Sequence, residues 1–308
     1  MVAARPYPLR MPSLCLLTVH AHPDDEASKG AGTVSRYHAE GIHTVLVTCT
    51  GGEEGSILNP AMEQPGILER LAEVRRQELE RAAQIIGYDE VVMLGYRDSG
   101  MPDSPANSDP RSFAAAPLDE AVGRLVAIIR RSQPQVIVTY PRNQRGYPHP
   151  DHLRVNEISE LAFDAAGDPD RFPGAGPVWQ PLRLFYVRWS VKRIRAMHDK
   201  FLELGMESPF DDERMKRMLK AETEVDPEHR NNGPHVVVDI RGYTAVMRDS
   251  LRAHATQVDP TSRHWFGLPT DVADELYPYD EYDIARDLTG AVETGDDLFA
   301  GLHAVQVV

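Results

Sequence analysis

Short apolar runs separated by longer amphipathic stretches organise the first two thirds of the chain. Leu14 to His20 (LCLLTVH) reads as a buried strand, and His43 to Thr50 (HTVLVTCT) as a second, β-branched one. Between them, about Glu26 to Ala39 has helical spacing, with Gly30 and Gly32 allowing close packing on a sheet and Gly41 ending it. Gly51 to Gln64 is a loop by its Gly, Asn and Pro content. Ile67 to Ile86 has helical periodicity with Gly87 as its stop, and Glu90 to Leu94 is a third strand. A Pro-, Ser- and Asp-rich loop runs to about Ala116. Leu118 to Arg131 is an amphipathic helix, Gln135 to Tyr140 (QVIVTY) a fourth strand, Asp151 to Ala166 a helix and Leu182 to Val187 a fifth strand.

Strands alternating with helices of this length predict βαβ units and a mostly parallel sheet covered on both faces. The fold class expected is therefore α/β, Rossmann-like, with a less regular C-terminal α+β part. Val191 to Leu204 and Asp211 to Ala221 look helical and charged, His235 to Ile240 looks like a strand, and Tyr243 to Thr256 a helix. The last fifty or so residues, rich in Pro, Asp and aromatics, give only a weak pattern. The expected division is a core over residues 1–187 and a substrate-pocket region over 188–308 packed on it.

Composition narrows the function. The chain has 308 residues, 42% hydrophobic and 26% charged, which suits a globular protein with a buried core. A formal net charge of -14 disfavours a nucleic-acid partner. Cys15 and Cys49 both sit in apolar runs and read as core residues. Residues Met1 to Pro12 carry Arg5 and Arg10 without an apolar signal core, and no stretch is long enough to span a membrane. A cytoplasmic protein is the expectation.

Two segments carry the chemistry. His22-Pro23-Asp24-Asp25-Glu26 follows the first strand, and Tyr147-Pro148-His149-Pro150-Asp151-His152 follows the fourth after a loop. Parallel sheets bind ligands beyond the carboxyl ends of their strands, so the two segments can converge. A catalytic zinc takes three His or carboxylate ligands and keeps an open position. His22 and Asp25 are three apart, as are His149 and His152, so four candidates compete for three places. Asp24 and Asp151 remain for proton work, because a bound metal lowers the pKa of water to about 7 and an adjacent carboxylate can take its proton. Asp near a helix start is also an ordinary cap, and it is the pairing of two such segments that favours a site.

These motifs are recognisable together. AHPDDE, TGGEEG (Thr50 to Gly55), RDSGM (Arg97 to Met101) and YPHPDH resemble the PIG-L/LmbE-like zinc N-acyl deacetylase family, in order and spacing from Leu14 to Ala166. Within it, SKGAGT (Ser28 to Thr33), ILNPAM (Ile57 to Met62), AAGDPDRFPGAG (Ala165 to Gly176) and LRAHATQVDP (Leu251 to Pro260) are most similar to the actinobacterial mycothiol S-conjugate amidase branch. The resemblance implies one zinc on His22, Asp25 and His152, a site that iron also suits. It implies Asp24 as general base and His149 as oxyanion stabiliser or acid. It further implies Asp151 as the carboxylate orienting His149, and Tyr147 as the group that polarises the carbonyl.

Several other residues have two readings each. Lys29 is a substrate discriminator or a solvated helix residue. Arg75 and Asp98 are sugar contacts or, respectively, a surface arginine and a turn former. His254 reaches the pocket or is structural, and His20 reads as a core residue or one lying behind the ligands. The run Arg188 to Arg195 reads as an amphipathic helix. The tryptophans and C-terminal aromatics read as pocket walls or core.

The chain departs from the family pattern in two places. The loop before the second motif reads Tyr140-Pro141-Arg142-Asn143-Gln144-Arg145-Gly146, where relatives have Tyr-Asp-x-Asn-Gly-Gly, and Ser56 stands where they have glutamate. Both changes bear on substrate rather than on reaction. The expected activity is amide cleavage between glucosaminyl-inositol and the N-acetylcysteinyl part of a mycothiol S-conjugate. The alternatives are deacetylation of N-acetylglucosaminyl-inositol or another sugar, and a non-catalytic binding module, which would not need a poised base. The expected partner is a small-molecule thiol S-conjugate, with neither nucleic acid nor membrane. A homo-oligomer is compatible with the sequence.

Overall fold

The computed structural model describes residues 14–144, 148–188, 190–210, 213, 216, 235–290 and 295–302. The expected helix over Asp211 to Ala221, apart from 213 and 216, lies outside these residues, as do Arg145 and Tyr147.

Strands β1 (Cys15–His20), β2 (His43–Thr50), β3 (Glu90–Tyr96), β4 (Val136–Thr139) and β5 (Arg183–Arg188) pair in parallel. With β6 (His235–Asp239) and β7 (Tyr279–Asp287) they form a seven-stranded sheet in the order β3-β2-β1-β4-β5-β7-β6. The chain runs outward from β1 to β3, then restarts on the other side of β1 with β4. That reversal opens a crevice at the carboxyl ends of β1 and β4, where both ligand-bearing segments leave the sheet.

The strands read as uninterrupted apolar runs because both faces are covered. Leu17 and Val19 face a cluster with Leu125, Val126, Val155 and Phe163. These come from helices α4 (Leu118–Ser132) and α5 (Pro150–Ala166). Leu16 faces the opposite cluster, with Val34, Tyr37, Phe185 and Tyr282. Burial of each such side chain stabilises the fold by about 1.5–3 kcal/mol. Among the described residues, no helix is long and apolar enough to cross a membrane. Cys15 and Cys49 are free and buried in the core, as the sequence indicates.

The structure revises the sequence in three places. The single helix expected over Glu26 to Ala39 is two, α1 (Asp25–Ser28) and α2 (Ala31–Ala39). Gly30 breaks it with φ 92°, and the Tyr282 hydroxyl lies 2.6 Å from where a Cβ would sit. The third strand runs on to Tyr96. The weak C-terminal pattern conceals β7, which inserts between β5 and β6 and is antiparallel to both. Its sequence, YDEYDIARD, lacks an apolar run because its acids are neutralised by neighbours. Asp280 accepts from the Thr33 backbone N–H and hydroxyl and pairs with Arg193, while Asp283 pairs with Arg188.

The basic run at Arg188 to Arg195 accordingly divides. Arg188 and Arg193 turn toward β7, whereas Lys192 and Arg195 are exposed on helix α6 (Val191–Glu203) above buried Val191 and Ile194. Helix α7 (Thr244–Ala253) packs on α2 and on α3 (Leu71–Ile86), placing residues that follow it behind α1. Residues past 188 thus complete the sheet and back the site.

Candidate active site

Two groups of buried side chains converge at the crevice, each with donor atoms within 4.8 Å of one another. One is His22, Asp25 and His152; the other is His22, Asp98, His149 and Asp151. His22 is the hinge between them. Its Nδ1 lies 3.5 Å from Asp25 Oδ2, and its Nε2 lies 3.2 Å from Asp151 Oδ2 and 3.5 Å from Asp98 Oδ1. His152 Nε2 lies 3.4 Å from the same Asp25 oxygen.

The local folding explains this convergence. Asp25 opens α1 immediately after β1, and its Oδ2 accepts from the His22 backbone N–H at 3.0 Å, which ties the turn together. His149 caps α5, its Nδ1 accepting from the Asp151 N–H at 3.2 Å, and one turn brings His152 to the same side. Asp151 is held from a third loop. It accepts from the Ser99 backbone N–H at 3.0 Å and from the Ser99 hydroxyl, while Ser99 Oγ in turn accepts from Ala114 N–H.

Electrostatics favour a cation here. Burial lowers the His22 pKa, but hydrogen bonds that it donates to Asp151, Asp25 and Asp98 outweigh this and hold the imidazole well above its usual value. Burial raises the Asp25 pKa, and Lys29 and His152 reverse this, keeping the carboxylate ionised well below its usual range. His152 is lowered by burial, against the pull of Asp25, and so offers a lone pair. Ionised Asp25, neutral His152, and His22 once a metal displaces its Nδ1 proton are the donor types of a catalytic zinc or iron site. His22 Nδ1, on the Asp25 side, would be its metal-binding nitrogen, and the Nε2–H that faces Asp151 would keep the carboxylate partner that orients a ligating histidine. The donor set therefore fits a divalent metal.

His149 is lowered to about 4 by burial and by the neighbouring His22. It is neutral near pH 7, and because Nδ1 accepts from a backbone N–H, Nε2 carries the proton. The Asp151 N–H donates to His149, and its carboxylate, in the same cluster as His149, accepts from Ser99 and faces His22.

Asp24 occupies a strained position beside these groups. It has φ 117°, in the left-handed region that non-glycine residues rarely adopt. Its side chain is 30% exposed and accepts from Arg75 at 3.3 Å. Burial raises its pKa; Arg75 opposes the rise and Asp25 adds to it.

The four residues expected to bind substrate have internal partners. Lys29 Nζ lies 2.5 Å from Asp25 Oδ1 and 5.6 Å from the centre of the Tyr140 ring. Arg75 is not a surface arginine: it is buried, donating to the carbonyls of Gly52 at 2.9 Å and Pro23 at 2.5 Å. Asp98 is buried and accepts from Gly100 N–H at 2.8 Å and Glu54 N–H at 3.3 Å. His254 is fully buried, with Nε2 2.5 Å from Glu26 Oε1. His20 lies behind the ligands with Nδ1 3.1 Å from the Tyr140 hydroxyl, and burial lowers its pKa to about 4.

Of the tryptophans, Trp179 packs against the main core and donates to the Pro134 carbonyl, and Trp265 packs against Leu251 and Val258. Sequence reasoning missed Ser99, Glu26 and Gln144. The first two lie inside motifs it quoted, RDSGM and HPDDE, where the flanking polar residue was the available signal. Gln144 sits in the atypical loop, and its Oε1 lies 3.2 Å from His152 Nδ1. The other atypical position, Ser56, accepts from the Gln257 side chain through its carbonyl.

A buried His/Asp/His cluster beside a further carboxylate at a Rossmann-like switch point has the donor types of a metal-dependent hydrolase. The profile of the PIG-L family, described as GlcNAc-PI de-N-acetylase, matches residues 17–163. The mycothiol S-conjugate amidase of Streptomyces coelicolor is 41% identical over 94% of this chain and 98% of its own length. A 1D-myo-inositol 2-acetamido-2-deoxy-alpha-D-glucopyranoside deacetylase of Geodermatophilus obscurus is 37% identical over 94% of this chain and 99% of its own. The chain belongs to the PIG-L family, and its family and curated relatives make it a hydrolase.

Among solved structures, the N,N'-diacetylchitobiose deacetylase of Pyrococcus horikoshii superposes with a TM-score of 0.60 at 17% identity, covering 91% of this chain and 88% of that one. The 4-carboxy-2-hydroxymuconate hydratase of Pseudomonas putida does so at 0.54 and 16% identity, over 88% and 96%. One fold thus carries both deacetylase and hydratase, so the reaction has to be argued from the site.

Proposed function

We propose that the protein is a zinc-dependent amidase that cleaves mycothiol S-conjugates between glucosaminyl-inositol and the N-acetylcysteinyl group. The observation that carries the reaction is the convergence of His22, Asp25 and His152 beside Asp24. The substrate rests on the similarity to the Streptomyces amidase along nearly the whole of both chains.

His22, Asp25 and His152 would hold the metal, which when bound acidifies water and polarises the amide carbonyl. Asp24, with its raised pKa, takes a proton from the attacking water. The Nε2–H of neutral His149 donates to the oxygen that becomes negative in the tetrahedral state, the interaction usually worth most in acyl transfer. The amine leaves with the proton that Asp24 took from the water. Asp151 and Ser99 keep His22 in register. Tyr147 is assigned to the carbonyl on the family resemblance alone. Lys29, beside Asp25, and Asp98, beside His22, are assigned to the substrate on the family resemblance. The region over 188–308 backs and shapes this pocket.

A second reading is the deacetylase of mycothiol biosynthesis, favoured by the 37% relative. Metal analysis and mass spectrometry after incubation with a mycothiol adduct and with N-acetylglucosaminyl-inositol separate the two. The proposal expects an N-acetylcysteine conjugate as the faster product. Faster release of acetate supports the deacetylase, and no release of either contradicts both.

A further inference from the structure

We propose that His254 and Glu26 form a buried clamp that holds the Asp24 backbone in its strained conformation, which makes both of them positioning residues for the base. The inference rests on the assignment of Asp24 made above.

A non-glycine residue at φ 117° costs on the order of 1–3 kcal/mol and persists only where its surroundings over-determine it. Three groups do so here. The Asp24 N–H donates to Glu26 Oε2 at 2.9 Å. Arg75 reaches the Asp24 carboxylate and, on the other side of the peptide, the Pro23 carbonyl. Asp24's own carbonyl accepts the N–H groups of Ala27 and Ser28 as α1 begins.

Glu26 makes its bond only if its carboxylate is fixed, and that is the part played by His254. Both side chains have no solvent exposure, and Nε2 stands 2.5 Å from Oε1, leaving Oε2 aimed at Asp24. A buried carboxylate deprived of this partner is costly and would rotate or take up water. His254 is itself anchored. It follows α7 directly, and Thr256 donates through its N–H and hydroxyl to Glu78 of α3 at 2.8 and 2.7 Å. Leu251 and Val258 pack on Ala27 of α1. A residue 228 positions from Glu26 in sequence thereby governs where the base points. Neither His254 nor Glu26 is placed to touch substrate.

The test is a cycle of His254→Ala in the wild type and in Asp24→Asn, with His254→Gln as the conservative variant, whose amide can still donate to Glu26. We expect His254→Ala to lower kcat by about 10–100-fold, since small misplacements of catalytic groups cost that much. KM should stay within about threefold and metal content at one per chain. His254→Gln should recover most of the rate, and in Asp24→Asn the alanine should cost nothing further. An equal loss in both backgrounds, or a fall in Tm with kcat intact, overturns the proposal. A crystal structure of His254→Ala reads the Asp24 φ without reference to turnover: a shift out of the left-handed region supports the clamp, and an unmoved Asp24 refutes it even if the enzyme proves to be a deacetylase. Should the alanine variant fail to fold, Glu26→Asp, which shortens the carboxylate, is put through the same cycle and structure.

Discussion

The Gln144 side-chain oxygen lies 3.2 Å from Nδ1 of His152, so a residue of the atypical loop orients a histidine whose Nε2 faces Asp25. The amide oxygen fixes the proton on Nδ1, so that the Nε2 lone pair, on the Asp25 side, is the one that would bind metal. Partners of this kind typically change metal affinity by 10–100-fold when removed. Gln144→Ala should therefore weaken zinc binding by about that factor in a chelator competition, with Tm of the metal-free protein nearly unchanged. Equal affinity in the two proteins would separate the loop from the metal site.

Removal of metal should destabilise the protein. Asp25, Asp98 and Asp151 are buried around His22. A ligand held only by the folded state adds about 2.7 kcal/mol at a hundredfold excess over its Kd. Calorimetry with and without a chelator should show a lower Tm for the stripped protein, restored by zinc. A Tm indifferent to zinc would speak against a bound metal at this cluster.

Gly30 provides a packing test away from the chemistry. A side chain there meets an unfavourable φ, at about 1–2 kcal/mol, and presses on Tyr282. Gly30→Ala should lose about 2 kcal/mol or more in urea denaturation, and Tyr282→Phe, which removes the hydroxyl, should recover part of it. An unchanged midpoint would mean that the α1–α2 break does not depend on this residue.

Much of the fold could be read in the sequence because the first five strands are covered on both faces. Leu14 to His20 and His43 to Thr50 need no tertiary information to be recognised. β7 was illegible for the opposite reason: Asp280 and Asp283 are held there by the charges of Arg193 and Arg188 and by hydrogen bonds from Thr33, all distant in sequence.

The site follows the same logic. His22, Asp25, His149 and His152 stand out because two short motifs contain them. Glu26, Ser99 and Gln144 act through single hydrogen bonds across the fold, and the spacing of residues along the chain carries no trace of those. Arg75 and His254 stood as substrate contacts or as structural residues, and the structure buries both, Arg75 against Asp24 and His254 against Glu26.

The most direct test of the account is product mass spectrometry in oxygen-18 water, comparing wild type with metal-matched Asp24→Asn on a mycothiol adduct. Wild type should release an N-acetylcysteine conjugate carrying one heavy oxygen in its new carboxylate. Asp24→Asn should do so at least about 100-fold more slowly, within the 10²–10⁴ range of general acid–base catalysis. Full activity in Asp24→Asn, or an intact adduct after incubation with metal-loaded wild type, would contradict it.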